Sequence, residues 1–499
     1  MIFNSYNFLF ILLPAALLTY VLFIKLFGRK AAHLNILISS LVFYGSSSLN
    51  YLFIFLFSIL VNFLIGKSFE FKNFSYKERI KKSLLVLGIF FNLSVLFIFK
   101  YYDFFVDNLS FFLINLPKLN FLLPIGISFY TFQQIGFLLD IYEENNKKYD
   151  LLDYALFVTF FPQLIAGPIV RFSDFIEQLN TKKENFLNKN YYSTGLVIFV
   201  FGLCKKIIIA DFLFRNFRFF YDAIPYGYVP TIFSAWINTI AYSLQIYFDF
   251  SAYSDMAIGL GLFFGIRLPV NFDSPYKSKS LVEFWNRWNI TLSHFFRDRL
   301  YTPIFINLSN KSSLSLNNHL YAILLTMPLL GLWHGASWNW ILFGLMQGVG
   351  LVINNIFKAK KIFPNMPICL RRVLLLVFIN ISFVFARAKD FFIAKQVIYS
   401  LFPLDKLNRI SMWNLLNDEL CPNLLSIFCL VFLLAVVLFL PSNLSITGYL
   451  DYQNNSSKII SPFKKLNLSK ELVIICSTFL SVIFLICLQY LHNEQEFIY

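Results

Sequence analysis

The feature that most constrains this chain is the repetition of long apolar runs along its length. A helix needs about 20 mostly apolar residues to cross a bilayer, and the chain supplies roughly ten to twelve such runs. Lipid cannot satisfy backbone N–H and C=O groups, so segments of this length must be helical. The sequence therefore predicts an all-α, polytopic integral membrane protein with about 10–12 transmembrane helices.

Composition supports this class and argues against others. Only 14% of the residues are charged, against about 25% in soluble domains. The net charge of +15 is explained by basic cytoplasmic loops. Nucleic-acid binding would need a soluble basic domain, and the sequence shows none. The six cysteines form no C-x-x-C pair and predict neither disulfides nor zinc ligands.

Basic residues predict how the chain crosses the membrane. No Lys or Arg precedes the first apolar run, 6–27, so this run is not a signal peptide, and the N-terminus is expected outside. The basic loops 67–82 and 358–372 are then cytoplasmic. The last run, 472–491, ends outside, which places both termini on the extracytoplasmic side of the inner (plasma) membrane. Region 386–422 also falls outside, although it contains the basic residues Arg387, Lys389, Lys395, Lys406 and Arg409.

Other apolar runs contain residues that break or charge a helix. The breaks in runs 123–142 and 160–172 occur at Pro124, Gly126, Pro162, Gly167 and Pro168. Such breaks persist at membrane depth where protein or a cavity satisfies the freed backbone, so we expect interfacial and broken helices around a central cavity. In run 192–214, which is interrupted by Lys205, Lys206 and Asp211, the lysines are expected to extend to the interface.

Ionisable residues concentrate between Gln245 and Gly350, and there they predict a cavity. Five of the seven tryptophans and three of the five histidines lie in this stretch. It begins with Asp249, Ser251 and Asp255, whose spacing matches no metal-ligand pattern. We expect the two carboxylates to bond to broken-helix backbone or to pair with Arg267.

A second part of the stretch, residues 281–300, places its apolar residues on one helical face. This pattern predicts an amphipathic helix at the membrane interface. A purely anchoring role for that helix remains an alternative.

His334 is the strongest candidate for chemistry. It lies in the sequence GLWHGASWNW, in which two apolar runs meet around Gly331 and a second glycine, Gly335, follows the histidine. The glycines allow a substrate or another backbone to approach closely. A neutral imidazole here can remove a proton from a hydroxyl, while the alternative is a hydrogen-bonded histidine of the protein core.

Several motifs together resemble the membrane-bound O-acyltransferase family, in its bacterial branch of alginate and peptidoglycan O-acetylation membrane proteins. They are LPIGISFYTFQ, FFPQLIAGPIVR, YFDFSAYSDMAIGLG, FWNRWNITLSHFFRDRLYTP and GLWHGASWNW. The resemblance implies a single membrane domain over 1–499, with N-terminal spans in 1–115, a catalytic core in 120–357 and C-terminal spans in 358–499.

The resemblance also implies roles for residues. His334 matches the family's catalytic histidine, and the candidate substrate-binding residues are Asn289, Trp333, Trp338, Trp285, Arg287, Asp255 and Ser251. The chain departs from the family pattern at Asn289, where a second histidine is usual, and at Gln347-Gly348, where His-Gly is frequent. An amide at 289 can hydrogen-bond a carbonyl but cannot exchange a proton.

The implied activity is acetyl transfer from a cytoplasmic thioester to an exported polysaccharide, peptidoglycan first and alginate or another exopolysaccharide second. The donor is acetyl-CoA or an acyl carrier protein, no cofactor or metal is bound, and an extracytoplasmic acetyltransferase acts as partner. Membrane lipids surround the protein. The alternatives are D-alanyl transfer to teichoic acid, transport of an acylated precursor, and a structural scaffold for a partner transferase.

Overall fold

The structure is a computed structural model that describes residues 1–70, 77–110, 116–143, 149–180, 188–311, 315–402 and 422–450, with a few positions between 482 and 489. Within these ranges the regular secondary structure is helical and no strand occurs, which confirms the all-α prediction. Lys406, Arg409 and most of the last predicted span, 472–491, lie outside the described residues.

Several helices are long and apolar enough to cross a membrane. In the described ranges five helices meet this condition: Asn7–Leu26, Leu49–Ser68, Glu78–Ser110, Trp338–Ala359 and Ile368–Arg387. Two shorter apolar helices are Phe391–Leu401 and Leu424–Phe439. Other apolar runs counted as spans in the sequence carry polar residues, such as Asp249 and Asp255 within Ile232–Phe263, and these lower the mean hydropathy. The chain is a polytopic membrane protein.

The chain forms two compact units. The described residues of the first lie within Met1–Leu203 and Tyr253–Val270 and from Thr447 onward. Its helices are α1 (Leu13–Leu26), α2 (Arg29–Gly45), α3 (Leu49–Ser68), α4 (Lys77–Leu96), α5 (Tyr102–Ser110), α6 (Ile127–Glu143), α7 (Leu151–Thr159), α8 (Phe161–Leu164), α9 (Phe172–Leu179) and α10 (Lys189–Cys204). π-Helical segments Asn7–Leu12 and Phe97–Tyr101 precede α1 and α5.

The described residues of the second unit lie within Cys204–Ala252 and Asn271–Ile446. Its helices are α11 (Asp211–Phe217), α12 (Phe219–Ala223), α13 (Ile232–Phe263, which continues into the first unit), α14 (Leu281–Trp285), α15 (Ile290–Phe296), α16 (Thr302–Lys311), α17 (Ser315–His334), α18 (Trp338–Ala359), α19 (Ile368–Arg387), α20 (Phe391–Leu401), α21 (Leu424–Phe439) and α22 (Asn443–Ile446). π-Helical segments Lys205–Ala210 and Arg297–Tyr301, and 3₁₀ turns Ile224–Tyr226 and Pro275–Lys277, complete it. The three-part division suggested by the sequence stays a prediction.

The first unit is held together by a buried amide cluster between its long helices. Asn62 Nδ2 of α3 donates to Gln134 Oε1 of α6 at 2.6 Å, and Asn92 Nδ2 of α4 donates to Asn62 Oδ1 at 2.6 Å. Ser58 Oγ adds a bond of 2.7 Å to the same Gln134 oxygen. Hydrogen bonds between helices contribute to association in lipid because apolar contact alone does not distinguish protein from lipid tails.

The predicted helix breaks are confirmed in this unit. Helix α6 starts directly after Gly126, whose φ of +72° is the left-handed conformation that glycine adopts without strain. Helix α8 is a single turn with Pro162 in its first positions, and no helix continues across Gly167 and Pro168. The apolar runs at these positions are therefore interrupted helices.

A buried group of charges corrects one expectation in the second unit. Lys206 is 2% exposed, and its Nζ lies 2.8 Å from Asp249 Oδ1 and 3.1 Å from Asp211 Oδ1. The expectation that Lys206 extends to the interface was wrong, because two carboxylates hold its ammonium inside the protein. Arg267 of the first unit donates from Nε to Gln178 Oε1 at 3.2 Å.

Candidate active site around His334

His334 is the last residue of helix α17, at a tight turn between two antiparallel helices. Gly335, Ala336 and Ser337 form the turn, and Ser337 caps α18 by accepting a hydrogen bond from the backbone N–H of Trp340 at 3.4 Å. The sequence placed the junction of the two runs around Gly331. The helix instead continues through Gly331, since the capping serine sets where the next helix begins.

The glycines around His334 serve close packing within this hairpin. A Cβ on Gly331 would lie 2.1 Å from the carbonyl oxygen of Trp340. A Cβ on Gly335 would lie 2.2 Å from Cδ1 of the Trp340 indole. Of the two possibilities left open by the sequence, the structure thus shows close approach of another part of the chain, which fixes the Trp340 ring beside the histidine.

The imidazole of His334 is half-buried within a cage of aromatic rings. It stacks on Trp340, with centroids 5.0 Å apart and an interplanar angle of 20°. Trp333 meets it edge-on at 4.8 Å, and Phe343 at 6.3 Å. The rings fix the orientation of the imidazole while part of its surface remains accessible.

The two predicted pocket tryptophans differ in their surroundings. Trp333 is 6% exposed and contacts His334 directly. Trp338, at the first position of α18, is 58% exposed. The ring that stacks on the histidine belongs to Trp340.

A series of rings connects His334 to the segment that contains Asn289. Phe343 stacks on Phe383 of α19 at 5.9 Å, and Phe383 contacts Trp288 at 5.6 Å. Asn289 follows Trp288 directly in the chain. The structure thus links the two motifs that the sequence singled out.

Asn289 is located at a break in what the sequence predicted to be one amphipathic helix. Helix α14 ends at Trp285 and α15 starts at Ile290, with Asn289 at φ +43° between them. Asn271 stabilises the break because its Oδ1 accepts the backbone N–H of Thr291 at 3.1 Å. The prediction of a single interfacial helix was therefore wrong, and asparagine suits the position because it tolerates the left-handed conformation.

The Asn289 side chain is oriented into the protein. It is 2% exposed, and its Oδ1 has no hydrogen-bond partner within the described part of the chain. A buried amide oxygen without a partner is costly in a folded protein. Such an atom is therefore a candidate for binding a substrate donor group.

Trp285 belongs to a buried hydrogen-bond relay that joins three helices. Its Nε1 donates to Gln347 Oε1 of α18 at 3.1 Å, and Gln347 Nε2 donates to Ser382 Oγ of α19 at 2.7 Å. Gln347 is fully buried. Gln347 is one of the departures from the family pattern noted in the sequence. Its two hydrogen bonds fix the end of α14 beside the hairpin.

Arg287 is held by carboxylates of the same unit. Its guanidinium lies 3.2 Å from Glu283 Oε1 and 3.4 Å from Asp273 Oδ2, and it also donates to the Asp273 carbonyl at 3.1 Å. The side chain is 32% exposed. These bonds fix the arginine at the break and leave part of its charge accessible.

Ser251 and Asp255 lie one turn apart on α13. Ser251 is buried, and its Oγ donates to the Phe248 carbonyl at 3.4 Å. Asp255 is also buried and belongs to the first unit, whereas Ser251 and His334 belong to the second.

Sequence reasoning missed Phe343 and Phe383 as parts of the His334 environment. Both lie in apolar spans where phenylalanine is frequent, and the chain has 64 of them. Helical spacing gives one signal, because Phe343 follows Trp340 by three residues and shares its face. No comparable signal identifies Phe383, which is brought in by the packing of α19.

Comparison with known proteins identifies the class. The model of the membrane-bound O-acyltransferase family matches residues 89–394, which include Asn289 and the complete His334 turn. The chain belongs to this family.

The chain is also similar to individual proteins of known or probable activity. The chain is 35% identical to a peptidoglycan O-acetyltransferase of Helicobacter pylori over 451 residues, or 84% of this chain and 82% of that protein. It is 36% identical to the probable alginate O-acetylase AlgI of Pseudomonas aeruginosa over 426 residues, or 83% and 78%. A teichoic acid D-alanyltransferase of Streptococcus thermophilus is 31% identical over 49% of this chain and 59% of its own length.

These findings confirm that the protein is a multi-pass membrane O-acyltransferase. A transporter or scaffold without catalytic activity, left open by the sequence, is not the class to which the chain belongs. The candidate site residues, donor and partner are proposals.

Proposed function

We propose that this enzyme moves an acetyl group from a cytoplasmic thioester across the inner membrane for O-acetylation of peptidoglycan, with His334 as general base. The observation that carries the proposal is the half-buried imidazole fixed against Trp340 at a helix end. Such an imidazole is oriented before substrate binds, and general-base catalysis requires a positioned ring within reach of the reacting hydroxyl.

The reaction needs one proton-transfer group. His334 takes the proton of the acceptor hydroxyl, and the oxygen attacks the thioester carbonyl carbon. A C–O bond forms, the C–S bond breaks, and the departing thiolate takes the proton back from the imidazolium. The products are an acetyl ester and a free thiol.

Asn289 and Trp285 are proposed to hold the substrate. The Asn289 amide donates to the thioester carbonyl, while its unpartnered Oδ1 accepts an N–H or O–H from the substrate. Trp285, fixed through Gln347, and Trp333 shape the pocket walls. Trp338, Ser251 and Asp255 remain proposed substrate-binding residues.

The donor is proposed to be acetyl-CoA or an acyl carrier protein, approaching from the cytoplasm. Arg287 keeps part of its charge exposed, and an arginine suits recognition of a phosphate on the donor. An extracytoplasmic acetyltransferase is the proposed partner that completes the transfer.

Peptidoglycan is preferred as the polymer because the peptidoglycan O-acetyltransferase relative is similar over 84% of this chain. Alginate or another exopolysaccharide is the second candidate, favoured by a relative of the same identity range over 83% of the chain. D-Alanyl transfer to teichoic acid is less favoured, since that similarity covers 49% of the chain.

The test is transfer of labelled acetyl by the purified protein, given acetyl-CoA or acetylated carrier protein and glycan acceptors with the candidate partner. We expect His334→Ala and His334→Gln to lower the transfer rate by about 10²–10⁴, the usual contribution of a general base. Asn289→Ala should raise KM for the donor more than it lowers kcat, because Asn289 binds rather than transfers a proton.

Thermal unfolding and size-exclusion profiles like those of the wild type must accompany each loss. Leu345→Ala, a 40% exposed position on α18 with no proposed role in the site, serves as a control for local disturbance. Wild-type transfer by His334→Gln would reject the general-base role. Transfer of acetyl to alginate but not to peptidoglycan would reject the polymer assignment. Transfer of D-alanine in place of acetyl would also reject it.

A further inference from the structure

A cluster of positive charge lies where the spanning helix α19 ends in the second unit. Asp222 accepts two cations: Lys389 Nζ lies 3.0 Å from Oδ1, and Arg387 Nη2 lies 3.7 Å from Oδ2. Arg387 also donates to the backbone carbonyl of Arg218 at 3.3 Å, and the Arg218 guanidinium, a third cation on these elements, lies 4.4 Å from the centroid of the exposed Phe219 ring. The cations therefore outnumber the carboxylate that pairs with them.

A fourth cation and an apolar rim extend the cluster along α20. Lys395 is exposed, with its Nζ 5.6 Å from the Tyr399 ring centroid. The nearby carboxylate Asp390 caps α20 by accepting the N–H of Ile393 at 2.8 Å. We call Arg218, Arg387, Lys389 and Lys395 the cationic patch.

The patch adjoins exposed apolar side chains on the same elements. Phe391 and Phe392 are each 56% exposed, Phe219 is 53% exposed and Tyr399 is 54% exposed. The opposite face of α20 is buried, since Ile393, Ala394 and Val397 pack against Phe220 and Tyr221. Helix α20 thus has one face in the core and one apolar aromatic face outward.

Charge beside exposed aromatics at the end of a spanning helix is the pattern of a lipid interface. A carboxylated polymer would also satisfy the charges, but it offers nothing to cover Phe391 and Phe392. A phospholipid satisfies both, with its phosphate at the cations and its acyl chains along the phenylalanines.

We propose that the cationic patch binds the phosphate of an anionic phospholipid headgroup. Lys389, whose side chain is 71% exposed, makes the outermost contact. Arg387 is only 20% exposed, and it is held in place by Asp222 and by its position 5.2 Å above the Tyr221 ring. A preorganised guanidinium loses little freedom when it binds phosphate.

The lipid site is connected to the His334 turn. Asn339, in the first turn of α18, is 3% exposed, and its Nδ2 donates to the Ala388 carbonyl at 2.8 Å. Ala388 lies between the two central cations of the patch. A lipid that fixes Arg387 and Lys389 therefore stabilises the backbone to which the catalytic hairpin is bonded.

The test compares wild type with Arg387→Gln/Lys389→Gln, purified in zwitterionic detergent and titrated with phosphatidylglycerol. Native mass spectrometry counts bound lipid, and thermal unfolding measures stabilisation. We expect affinity for phosphatidylglycerol to fall about fivefold per cation removed. Phosphatidylcholine should bind equally weakly to both proteins.

Lys30→Gln/Lys118→Gln is the matched control. It removes the same charge from two exposed lysines of the first unit that also face carboxylates, Asp150 and Asp107. This control should keep the full phosphatidylglycerol effect. If the double variant of the patch fails to fold, Lys389→Gln alone carries the test, with Lys389→Arg expected to restore binding.

Three results would overturn the proposal. The first is an unchanged phosphatidylglycerol affinity in the patch variant. The second is equal stabilisation by inorganic phosphate, which would indicate a phosphate site without lipid. The third is displacement of the lipid by a soluble oligouronate at low concentration, which would assign the patch to an acidic glycan.

Discussion

Gln347 shows how one buried side chain can support a site without facing the substrate. Replacing it with leucine leaves the Trp285 Nε1–H buried without its acceptor and removes the bond to Ser382. We expect Gln347→Leu to lower the free energy of unfolding by about 1–3 kcal/mol, the desolvation cost of an unpaired buried donor. Thermal unfolding of the purified protein measures it.

A double variant separates this mechanism from simple loss of packing. Trp285→Phe removes the indole N–H that Gln347→Leu leaves unpaired. Adding Trp285→Phe to Gln347→Leu should therefore cost less than the sum of the two single changes. Strict additivity would show that the Trp285–Gln347 bond contributes nothing to stability.

At the residue scale, the sequence indicated His334 because a histidine between glycines and tryptophans is unusual in an apolar span. It did not indicate that Trp340 is the stacking partner, since Trp333 and Trp338 both lie nearer to the histidine in the sequence. The choice depends on the capped turn at Ser337, which directs the Trp340 ring back over Gly335.

Among the helical elements, the π-helical segment Lys205–Ala210 is joined to α13 by buried charges. Lys206→Met would leave Asp249 and Asp211 facing an apolar side chain. Removing one partner of a buried ion pair costs about 3–5 kcal/mol. We expect a correspondingly lower unfolding temperature or a lower yield of folded protein.

The neighbouring lysine provides the comparison. Lys205 is only partly buried and donates to Asn443 Oδ1 at 2.8 Å, so Lys205→Met should have a much smaller effect. Adding Asp249→Asn to Lys206→Met should recover part of the loss, because one uncompensated carboxylate is removed. Equal losses for Lys205→Met and Lys206→Met would contradict the assignment of the buried pair.

At this scale the sequence predicted helix positions better than helix partners. Apolar length and the proline and glycine breaks indicated α6 and α8, because these depend on local chemistry. The break at Asn289 was missed because the apolar residues of 281–300 fit one helical face. The hydrogen bond that caps the start of α15 comes from Asn271, a residue outside the segment.

For the whole molecule, the charge rule predicts opposite sides for the two ends of α19. Loop 358–372 should be cytoplasmic, whereas the 3₁₀ turn with Tyr226, which packs with the end of α19, should be extracytoplasmic. In a variant from which the native cysteines have been removed, we expect a membrane-impermeant maleimide to label Tyr226→Cys in intact spheroplasts. Lys360→Cys should require permeabilised membranes.

Native Cys369, kept as the single cysteine of a further variant, gives a control. It is exposed and lies at the start of α19, on the same side as Lys360. It should be labelled only after permeabilisation. Labelling of Lys360→Cys and Cys369 from outside, with Tyr226→Cys protected, would invert the predicted orientation. The basic residues Arg387 and Lys389 would then follow the charge rule.

The sequence by itself determined that the protein is helical and membrane-embedded, because lipid leaves a long apolar run no alternative to a helix. It also indicated His334, because a titratable group in such a run needs a functional or structural reason. Only the tertiary structure decided which partners those groups have: Lys206 with Asp249, Trp285 with Gln347, and His334 with Trp340. These pairings depend on how separate helices pack together, and helical periodicity contains no information about a neighbour on another helix.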